Sequence, residues 1–456
     1  MSASHYLTAP LKTDKMPPGI PYIIGNEAAE RFNFYGMRAV LVVFMTQYLR
    51  DASGALAPMN ESDANKWYHL FLATNYFLPV FGAILADALW GKYRTIIWLS
   101  LVYCLGSVVL AYDSTRLGLG FGLMLIAIGS GGIKPCASAH VGDQFGTENQ
   151  SLLSRAFGWF YFSINAGSMI SIPLTPLLLK YQGPAWAFGV PAVLMLLATV
   201  VFWMGRYKFA HIPPAGKSFF SDNFNAEGRA AIGRIAIIYI FVAVFWSLWD
   251  QSGGEWVLQG EKMERHYALF GYSFEVLSSQ VQTLNSIFIL LLIPLCQYWI
   301  YPAISRFFPL TPLRKIGLGL LVTAVSFVIS AWIESRILAG MKPGIVWQVP
   351  AYLLLSLGEV MVSVTALEFA YTQAPKRMKS VIMSLYLLAI SAGNLFTALV
   401  HQFIANADGS SKLPGAWFYL FFVGLCLLTT FVYVFVAKNY QEKVYLQEEA
   451  LVPSVP

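Results

Sequence analysis

The chain has 456 residues, of which 57% are hydrophobic and only 12% are charged, and its formal net charge is +6. Soluble domains carry about 25% charged residues, so this composition excludes an ordinary soluble protein and indicates an all-α membrane protein. The positive charge does not indicate a nucleic-acid partner, because the basic residues cluster in loops between apolar runs. Membrane lipid is therefore the expected neighbour of most of the surface.

Apolar runs of about 20 residues predict twelve membrane-spanning helices. They lie at roughly 21–49, 65–90, 93–112, 118–140, 154–178, 186–206, 232–258, 278–301, 313–336, 345–370, 379–404 and 414–438. An even number of spans places both termini on one side of the membrane. The excess of Lys and Arg in the loops of that side predicts that it is the cytoplasm.

The expected location is the plasma membrane, which in a bacterium is the inner membrane. The first 20 residues contain no basic-then-apolar signal peptide, so the first span is expected to direct insertion itself.

A polar interruption divides the predicted spans into six and six. This arrangement predicts the major facilitator fold, in which two six-helix bundles flank a central site. The predicted parts are a cytoplasmic segment at 1–20, a first bundle at 21–206, a linker at 207–231, a second bundle at 232–440 and a tail at 441–456.

The first predicted span carries an unusual row of charges. At about 100° per residue, Glu27, Glu30, Arg31, Phe34 and Arg38 lie on one stripe of a helix. Each charge in a bilayer costs a few kcal/mol, so such a stripe is tolerated only where it faces water or opposite charges. The stripe therefore predicts a wet, charged cavity of the kind that forms a transport path.

Further polar residues fall inside the predicted spans: His69, Lys134, Asn165, Asp250, Asn285 and Glu359. The bases lie mostly in the first half of the chain, whereas the second half supplies Asp250 and Glu359. A cavity that is basic on one wall and acidic on the other matches a zwitterion. The alternative interpretation is that each ion only pairs with a neighbour and holds two helices together.

A predicted gate lies between the second and third spans. Asp87 precedes Gly91-Lys92-Tyr93-Arg94 in that turn, where an acid beside a basic turn predicts a cytoplasmic gate.

The four cysteines lie in apolar stretches with neither a disulfide framework nor metal-ligand spacing. No metal and no cofactor are expected.

Several longer motifs are similar to those of the proton-dependent oligopeptide transporter (POT) family, over about residues 20 to 440. They are Glu27-x-x-Glu30-Arg31-Phe32 with Tyr35-Gly36-Met37-Arg38; Gly131-Gly132-Ile133-Lys134-Pro135-Cys136 through Gly142-Asp143-Gln144-Phe145; Phe160-Tyr161-Phe162-Ser163-Ile164-Asn165-Ala166-Gly167-Ser168; Phe245-Trp246 with Asp250-Gln251; Trp347-Gln348-Val349-Pro350; and Gly358-Glu359-Val360 through Glu368-Phe369 and Gln373-Ala374-Pro375.

The resemblance implies a symporter that imports di- and tripeptides with protons, by alternating access. It implies proton coupling by Glu27, Glu30, Arg31, Lys134 and His69. It implies a peptide site formed by Arg31, Tyr35, Arg38, Tyr76, Lys134, Tyr161, Asn165, Trp246, Asn285, Glu359 and Ser363. Within that site Arg31 and Lys134 would hold the peptide carboxylate, and Glu359 would hold the amino terminus. Arg38 would pair with Asp250 as the outward gate.

The chain departs from the family pattern at three places. The loop 207–231 is too short for the two extra helices that many bacterial members insert, and the loop near 337–344 leaves no room for the extracellular domain of mammalian relatives. Tyr386 stands where the eleventh-helix motif usually has Trp. His69, in contrast, resembles the second-helix histidine of mammalian peptide transporters.

Two alternatives stay open. One is a facilitator for another anion or zwitterion, such as nitrate or a modified amino acid. The other is a membrane-embedded enzyme, which is disfavoured because the sequence has no metal spacing, nucleophile elbow or phosphate loop, and only His140 near Asp143 as a dyad. The prediction is therefore a transporter and no enzyme, working as a monomer on small peptides with protons as the coupling ion.

Overall fold

The computed structural model describes residues 6–214, 216, 219, 226–269, 271–367, 369, 379–406 and 411–440. Within them lie twelve long helices: α1 (Ile20–Gln47), α2 (Glu61–Trp90), α3 (Lys92–Tyr112), α4 (Arg116–Gly142), α5 (Gln150–Gln182), α6 (Pro184–Tyr207), α7 (Gly228–Glu261), α8 (Ser278–Ser305), α9 (Pro312–Leu338), α10 (Ile345–Leu367), α11 (Lys379–Ile404) and α12 (Ala416–Asn439). All except α1 are apolar enough to cross a membrane, and α1 differs because four charged residues interrupt its 28 residues.

Each predicted span coincides with one of these helices. The largest difference at a described end is four residues, as at the start of α2, where the prediction was 65 and the helix begins at Glu61. The linker 207–231 is only partly described and the tail 441–456 lies outside the described residues, so these domain limits stay predictions. The prediction contained no β-structure.

The structure adds a short hairpin between α7 and α8. Its strands β1 (His266–Leu269) and β2 (Tyr272–Glu275) pair antiparallel, with His266 opposite Glu275. Gly271 has φ +82° in the connection, a conformation that glycine adopts without steric cost. The helices end at two faces of the molecule. The terminal face carries residues 6–19 and Tyr440, and the hairpin lies on the other one, which we call the opposite face.

Two of the helices change their winding beside a charged residue. A 3₁₀ turn begins at Asp250 within α7 and runs to Gly253, and a π-helical turn, Val360–Val364, directly follows Glu359 in α10. Such irregular turns are frequent at functional sites, because they re-aim side chains within an otherwise regular helix. Both acids therefore sit where the helix backbone is locally distorted.

Small residues set the close packing of the first half. A Cβ atom added at Gly82 of α2 would lie 2.2 Å from the carbonyl oxygen of Gly131 in α4, which is far inside van der Waals contact. Small residues at 129–132 of α4 thus permit a close approach of the two helix backbones. Each half of the chain has its own apolar core, centred on residues such as Phe44 and Tyr103 in one half and Phe245 and Phe327 in the other.

The described bonds between the two halves lie from the middle of the helices to the opposite face. Lys262 of α7 is 2.7 Å from Glu61 of α2, Lys180 of α5 forms an ion pair with Glu275, and Ser391 of α11 donates to the Ala73 carbonyl of α2. These contacts hold the two halves together at that face.

Candidate functional site

A cavity of about 130 Å³ lies between the two halves near the middle of the helices. It is lined by residues of α1, α5, α7, α8 and α10: Tyr35, Arg38, Ile164, Asn165, Ser168, Ile172, Trp249, Ser252, Gln282, Asn285, Ser286, Ile289, Tyr352 and Glu359. Five of the residues predicted for the peptide site are among them, namely Tyr35, Arg38, Asn165, Asn285 and Glu359.

The charged stripe of α1 forms a compact buried cluster. Arg31 Nε lies 2.8 Å from Glu27 Oε1 and 2.8 Å from Glu30 Oε2, and Ser130 of α4 donates to the other oxygen of Glu30. The spacing of four residues places Glu27 on the same helix face as Arg31, and Glu30 is the chain neighbour of Arg31. Two acids thus share a single base, so the cluster has one excess negative charge whenever both acids are ionised.

Lys134 of α4 supplies a separate positive charge. Its Nζ lies 4.0 Å from the ring centroid of Phe34 and 4.5 Å from that of Tyr76. Among the described residues it has no hydrogen-bond acceptor and no carboxylate within 4.0 Å. The aromatic faces stabilise the ammonium only modestly, by about 2 kcal/mol or less each, which leaves it able to bind an anion.

Arg38 and Asp250 join the two halves beside the cavity. Arg38 Nη2 lies 2.6 Å from Asp250 Oδ1, and Arg38 Nε donates to the Tyr68 hydroxyl at 2.8 Å. The guanidinium also lies 5.0 Å from the ring centroid of Trp249. The two residues that the resemblance assigns to an outward gate are therefore in direct contact, while the gating role itself stays a prediction.

His69 is connected to this pair through an amide. Its Nδ1 is 2.7 Å from Asn394 Oδ1, and Asn394 Nδ2 donates to Asp250 Oδ2 at 2.5 Å. His69 is fully buried between α2 and α11. Asn394 was not among the predicted residues; its only signal in the sequence is a lone amide in an otherwise apolar stretch of α11.

Glu359 is held by two donors from the second half. Trp249 Nε1 donates to Glu359 Oε2 at 2.7 Å, and Asn285 Nδ2 donates to the same oxygen at 2.8 Å. The sequence reasoning selected Trp246 and missed Trp249. The structure places Trp249 in the cavity wall, whereas Trp246 is 7% exposed and packs against Trp249 and Tyr386.

Six of the residues predicted for the peptide site do not line this cavity, namely Arg31, Tyr76, Lys134, Tyr161, Trp246 and Ser363. Tyr76 lies against the Lys134 ammonium, Tyr161 is 64% exposed one helical turn before Asn165, and the Ser363 hydroxyl is hydrogen-bonded to Tyr386. Tyr386 of α11 is also absent from the cavity lining. The roles of the six residues in peptide binding stay predictions.

The predicted cytoplasmic gate residue has local partners. Asp87 lies 3.7 Å from Lys92, which in turn lies 2.8 Å from Asp143 of the loop that follows α4. All three belong to the first half of the chain and to the terminal face. The motif residues Glu368, Gln373, Ala374 and Pro375 lie outside the described residues.

The family model of the POT family matches residues 93–226 and 222–417 of the chain. The chain belongs to the POT family. The predicted family and the predicted transporter class, as opposed to an enzyme, are confirmed by this match.

Solved POT structures share the fold over nearly the whole chain. The crystal structure of an auto-inhibited POT family peptide transporter is 33% identical, covers 95% of this chain and 99% of its own, and has a TM-score of 0.84. That of the POT family transporter PepTSo is 35% identical, with 94% and 99% covered and a TM-score of 0.82. The predicted major facilitator fold of a multi-pass membrane protein is confirmed.

Curated relatives are longer proteins. Peptide transporter family 1 of Drosophila melanogaster is 37% identical over 70% of this chain and 48% of its own length. Solute carrier family 15 member 2 of Homo sapiens is 35% identical over 72% and 50%, respectively. The chain thus spans about half the length of the curated relatives it matches.

Proposed function

We propose that this POT protein is a proton-coupled symporter that imports di- and tripeptides across the plasma membrane, which in a bacterium is the inner membrane. Both termini face the cytoplasm, the monomer is the working unit, and protons are the coupling ion with no further cofactor. The observation that carries the proposal is a pair of charges: Lys134 in the first half has no carboxylate partner among the described residues, and Glu359 lies in the cavity wall of the second.

A peptide is a zwitterion that fits this arrangement. Its carboxylate binds Lys134 and Arg31, and its ammonium group binds Glu359. Asn165 and Asn285, which both line the cavity, offer neutral donors and acceptors to the peptide amide. Because these groups bind only the main chain, side chains of differing size are accepted.

Proton coupling follows from the shared guanidinium. Arg31 is held by Glu27 and Glu30, and a proton that neutralises either carboxylate removes one of its partners. Arg31 is then freer to bind the peptide carboxylate, and by linkage a bound peptide favours the protonated acid to the same extent. Peptide and proton therefore bind together.

The contacts between the two halves fit a stage of alternating access that is closed on the outer side. The terminal face is the cytoplasmic one by the charge bias of the loops, so the opposite face is the outer one. There the Arg38–Asp250 and Lys262–Glu61 pairs connect the two bundles. Opening outward requires these contacts to break while others form on the cytoplasmic side.

Uptake into proteoliposomes under an imposed pH gradient tests the proposal. Labelled dialanine and trialanine are expected to accumulate when the side from which they enter is acidic, whereas tetraalanine is not. The rival anion facilitator is separated by competition, because excess unlabelled dialanine should suppress the signal and nitrate should not. Accumulation that nitrate blocks, or that needs no gradient, would refute peptide symport.

A further inference from the structure

A second polar cavity lies on the opposite face, away from the central one. It has a volume of about 300 Å³ and is bounded by the outer ends of α2, α7, α9, α11 and α12. Its charged and titratable members are Glu61, Glu255, Lys262, Glu334, His401 and Tyr419. We infer that this outer cavity takes protons from the external water and that His401, with Glu255 as its counter-charge, passes them to His69. The inference rests on the proposed symport.

Glu255 and His401 form the contact that leads inward from the cavity. His401 Nε2 lies 3.2 Å from Glu255 Oε1, and Asn65 of α2 donates to the same oxygen at 2.8 Å. The Glu255 side chain is 17% exposed, so it meets water, whereas His401 is 2% exposed. Within the described residues neither ring nitrogen of His401 has a hydrogen-bond partner, so its contact with Glu255 is one of charge and distance, and Nδ1 is free to accept a proton.

The other acids of the cavity are already engaged. Glu61 forms an ion pair with Lys262 at 2.7 Å, and Glu334 accepts from Gln259 at 2.9 Å. Neither acid contacts His401 in the structure. Removing Glu334 therefore changes the charge of the cavity without touching the inward contact, which makes it a matched control.

His401 and His69 lie face to face. Their ring planes are 13° from parallel and their centroids are 6.1 Å apart. Asn394 donates through Nδ2 to Asp250, so its oxygen faces His69 and fixes the proton of the neutral imidazole on Nδ1. The lone pair is then on Nε2, which has no hydrogen-bond partner among the described residues. An incoming proton binds His69 at Nε2.

The transfer balances as a relay of one proton. A hydronium ion in the cavity gives its proton to His401 Nδ1, and the neighbouring Glu255 carboxylate, which stays ionised, offsets the positive charge of the imidazolium. Because stacked rings at this separation cannot hydrogen-bond directly, His401 gives the same Nδ1 proton to one bridging water, which gives one of its own to His69 Nε2. His401 and the water return to their first state, and His69 becomes an imidazolium.

The charged His69 then acts on the outer contacts. The imidazolium is linked through Asn394 to the Asp250 carboxylate, which already forms an ion pair with Arg38. Competition for that carboxylate weakens the Arg38–Asp250 pair and favours separation of the bundles on the outer side. The groups that surround His401 and shape its titration are Glu61, Lys66 and His69 of α2, Glu255 and Lys262 at the end of α7, Glu334 of α9 and Tyr419 of α12.

The test uses the protein in proteoliposomes with four variants: Glu255→Gln, His401→Gln, the conservative variant Glu255→Asp and the control Glu334→Gln. Dialanine accumulation driven by a pH gradient and dialanine counterflow without a gradient are measured for each. We expect Glu255→Gln and His401→Gln to lose at least about tenfold in the driven rate, because one removes the counter-charge of the proton carrier and the other removes the carrier itself, and to keep counterflow within about twofold. Glu334→Gln should keep both, and Glu255→Asp should restore most of the driven rate.

Three results would overturn the relay. Driven rates of Glu255→Gln and His401→Gln within twofold of wild type would show that protons take another route. An equal loss in Glu334→Gln would show a general charge effect, and an equal loss of counterflow in all variants, Glu255→Asp included, would show a structural role. A wild-type protein that exchanges dialanine but ignores the gradient would instead refute the proposed symport, and the relay with it.

Discussion

Arg38 and Asp250 are 212 positions apart in the sequence, and their side chains meet at 2.6 Å between the two bundles. Their side chains are only 5% and 1% exposed. Buried ions attract strongly but have lost their hydration, so such a pair is a weak source of net stability and a severe liability when one partner is removed. A contact of this kind suits a gate, because the two buried ions attract each other strongly while paired, and each is destabilising when its partner is removed.

The first prediction concerns this pair. Arg38→Gln or Asp250→Asn alone should destabilise the observed conformation by about 3–5 kcal/mol, since an uncompensated buried charge remains. The double variant should lose less than the sum of the two. Thermal unfolding in detergent measures the effect, with Lys262→Gln and Glu61→Gln as the exposed control pair, where we expect less than about 1 kcal/mol. Strictly additive losses at Arg38 and Asp250 would argue against a coupled gate.

The second prediction concerns Lys134. Lys134→Ala should abolish accumulation of dialanine under a pH gradient while sparing counterflow exchange, because the unpaired ammonium links peptide binding to the acids of α1. Lys134→Arg keeps the charge and should retain part of the driven uptake. Full concentrative uptake by Lys134→Ala would show that Lys134 takes no part in proton coupling.

The third prediction concerns recognition of the amino terminus. Glu359→Gln keeps an oxygen that accepts from Trp249 and Asn285 but loses the negative charge. A charged hydrogen bond contributes about 1.5–3 kcal/mol, so the apparent affinity for dialanine should fall by roughly ten- to a hundredfold. N-acetyl-dialanine, which lacks the ammonium group, should bind wild type and variant alike in competition assays. Ser286→Ala, in the same cavity wall, is the control and should leave the preference for the free amine unchanged.

The fourth prediction concerns pH and the outer hairpin. The pKa of Glu275 lies below its usual 4.5, chiefly because Lys180 of the other bundle hydrogen-bonds to the carboxylate. A lowered pKa means that this contact stabilises the closed outer face above about pH 4.5, and that its contribution, under about 1 kcal/mol, is lost as the pH falls through the lowered value.

Spin labels at Gln182→Cys and Tyr272→Cys, both exposed positions, report the hairpin distance; the four described native cysteines are buried. The distance distribution should broaden on acidification in wild type and be broad at every pH in Glu275→Gln. Glu264→Gln is the control, because the Glu264 carboxylate accepts from the nearby backbone N–H of His266. In this variant the distance distribution should broaden on acidification as in wild type. If the distance distribution of Glu275→Gln still narrows at neutral pH, the contact between Glu275 and Lys180 does not hold the outer face closed.

The sequence predicted the helices well because apolar length and charge determine what a bilayer accepts. It did not predict the hairpin, whose two strands have four residues each and owe their pairing to a turn at Gly271. Short strands carry too little periodicity to be distinguished from a loop. The helix ends differ by only a few residues because polar residues bound each apolar run.

The candidate site was predictable only in part. The stripe on α1 follows from helical spacing, but the contact of Arg38 with Asp250 was expected only from the family resemblance, since it spans two separate bundles. Trp246 and Trp249 are about 60° apart on a helix, so periodicity cannot decide which one faces the cavity. Asn394 and His401 lie in mainly apolar stretches, and only the packing of α11 against α2 and α7 reveals their partners.

The fifth prediction concerns the close approach of α2 and α4. Gly82→Ala should destabilise the protein by about 1–3 kcal/mol, because the added methyl would lie 2.2 Å from the Gly131 carbonyl oxygen and 2.7 Å from Gly132 Cα, and backbone atoms cannot move aside. Gly120→Ala is the matched control on α4, where nothing lies within 4 Å of the new Cβ. It should be neutral or stabilise by up to about 1 kcal/mol, since alanine favours a helix. Thermal unfolding of both variants in detergent decides the matter: equal melting temperatures would mean that α2 and α4 are not packed backbone to backbone at Gly82.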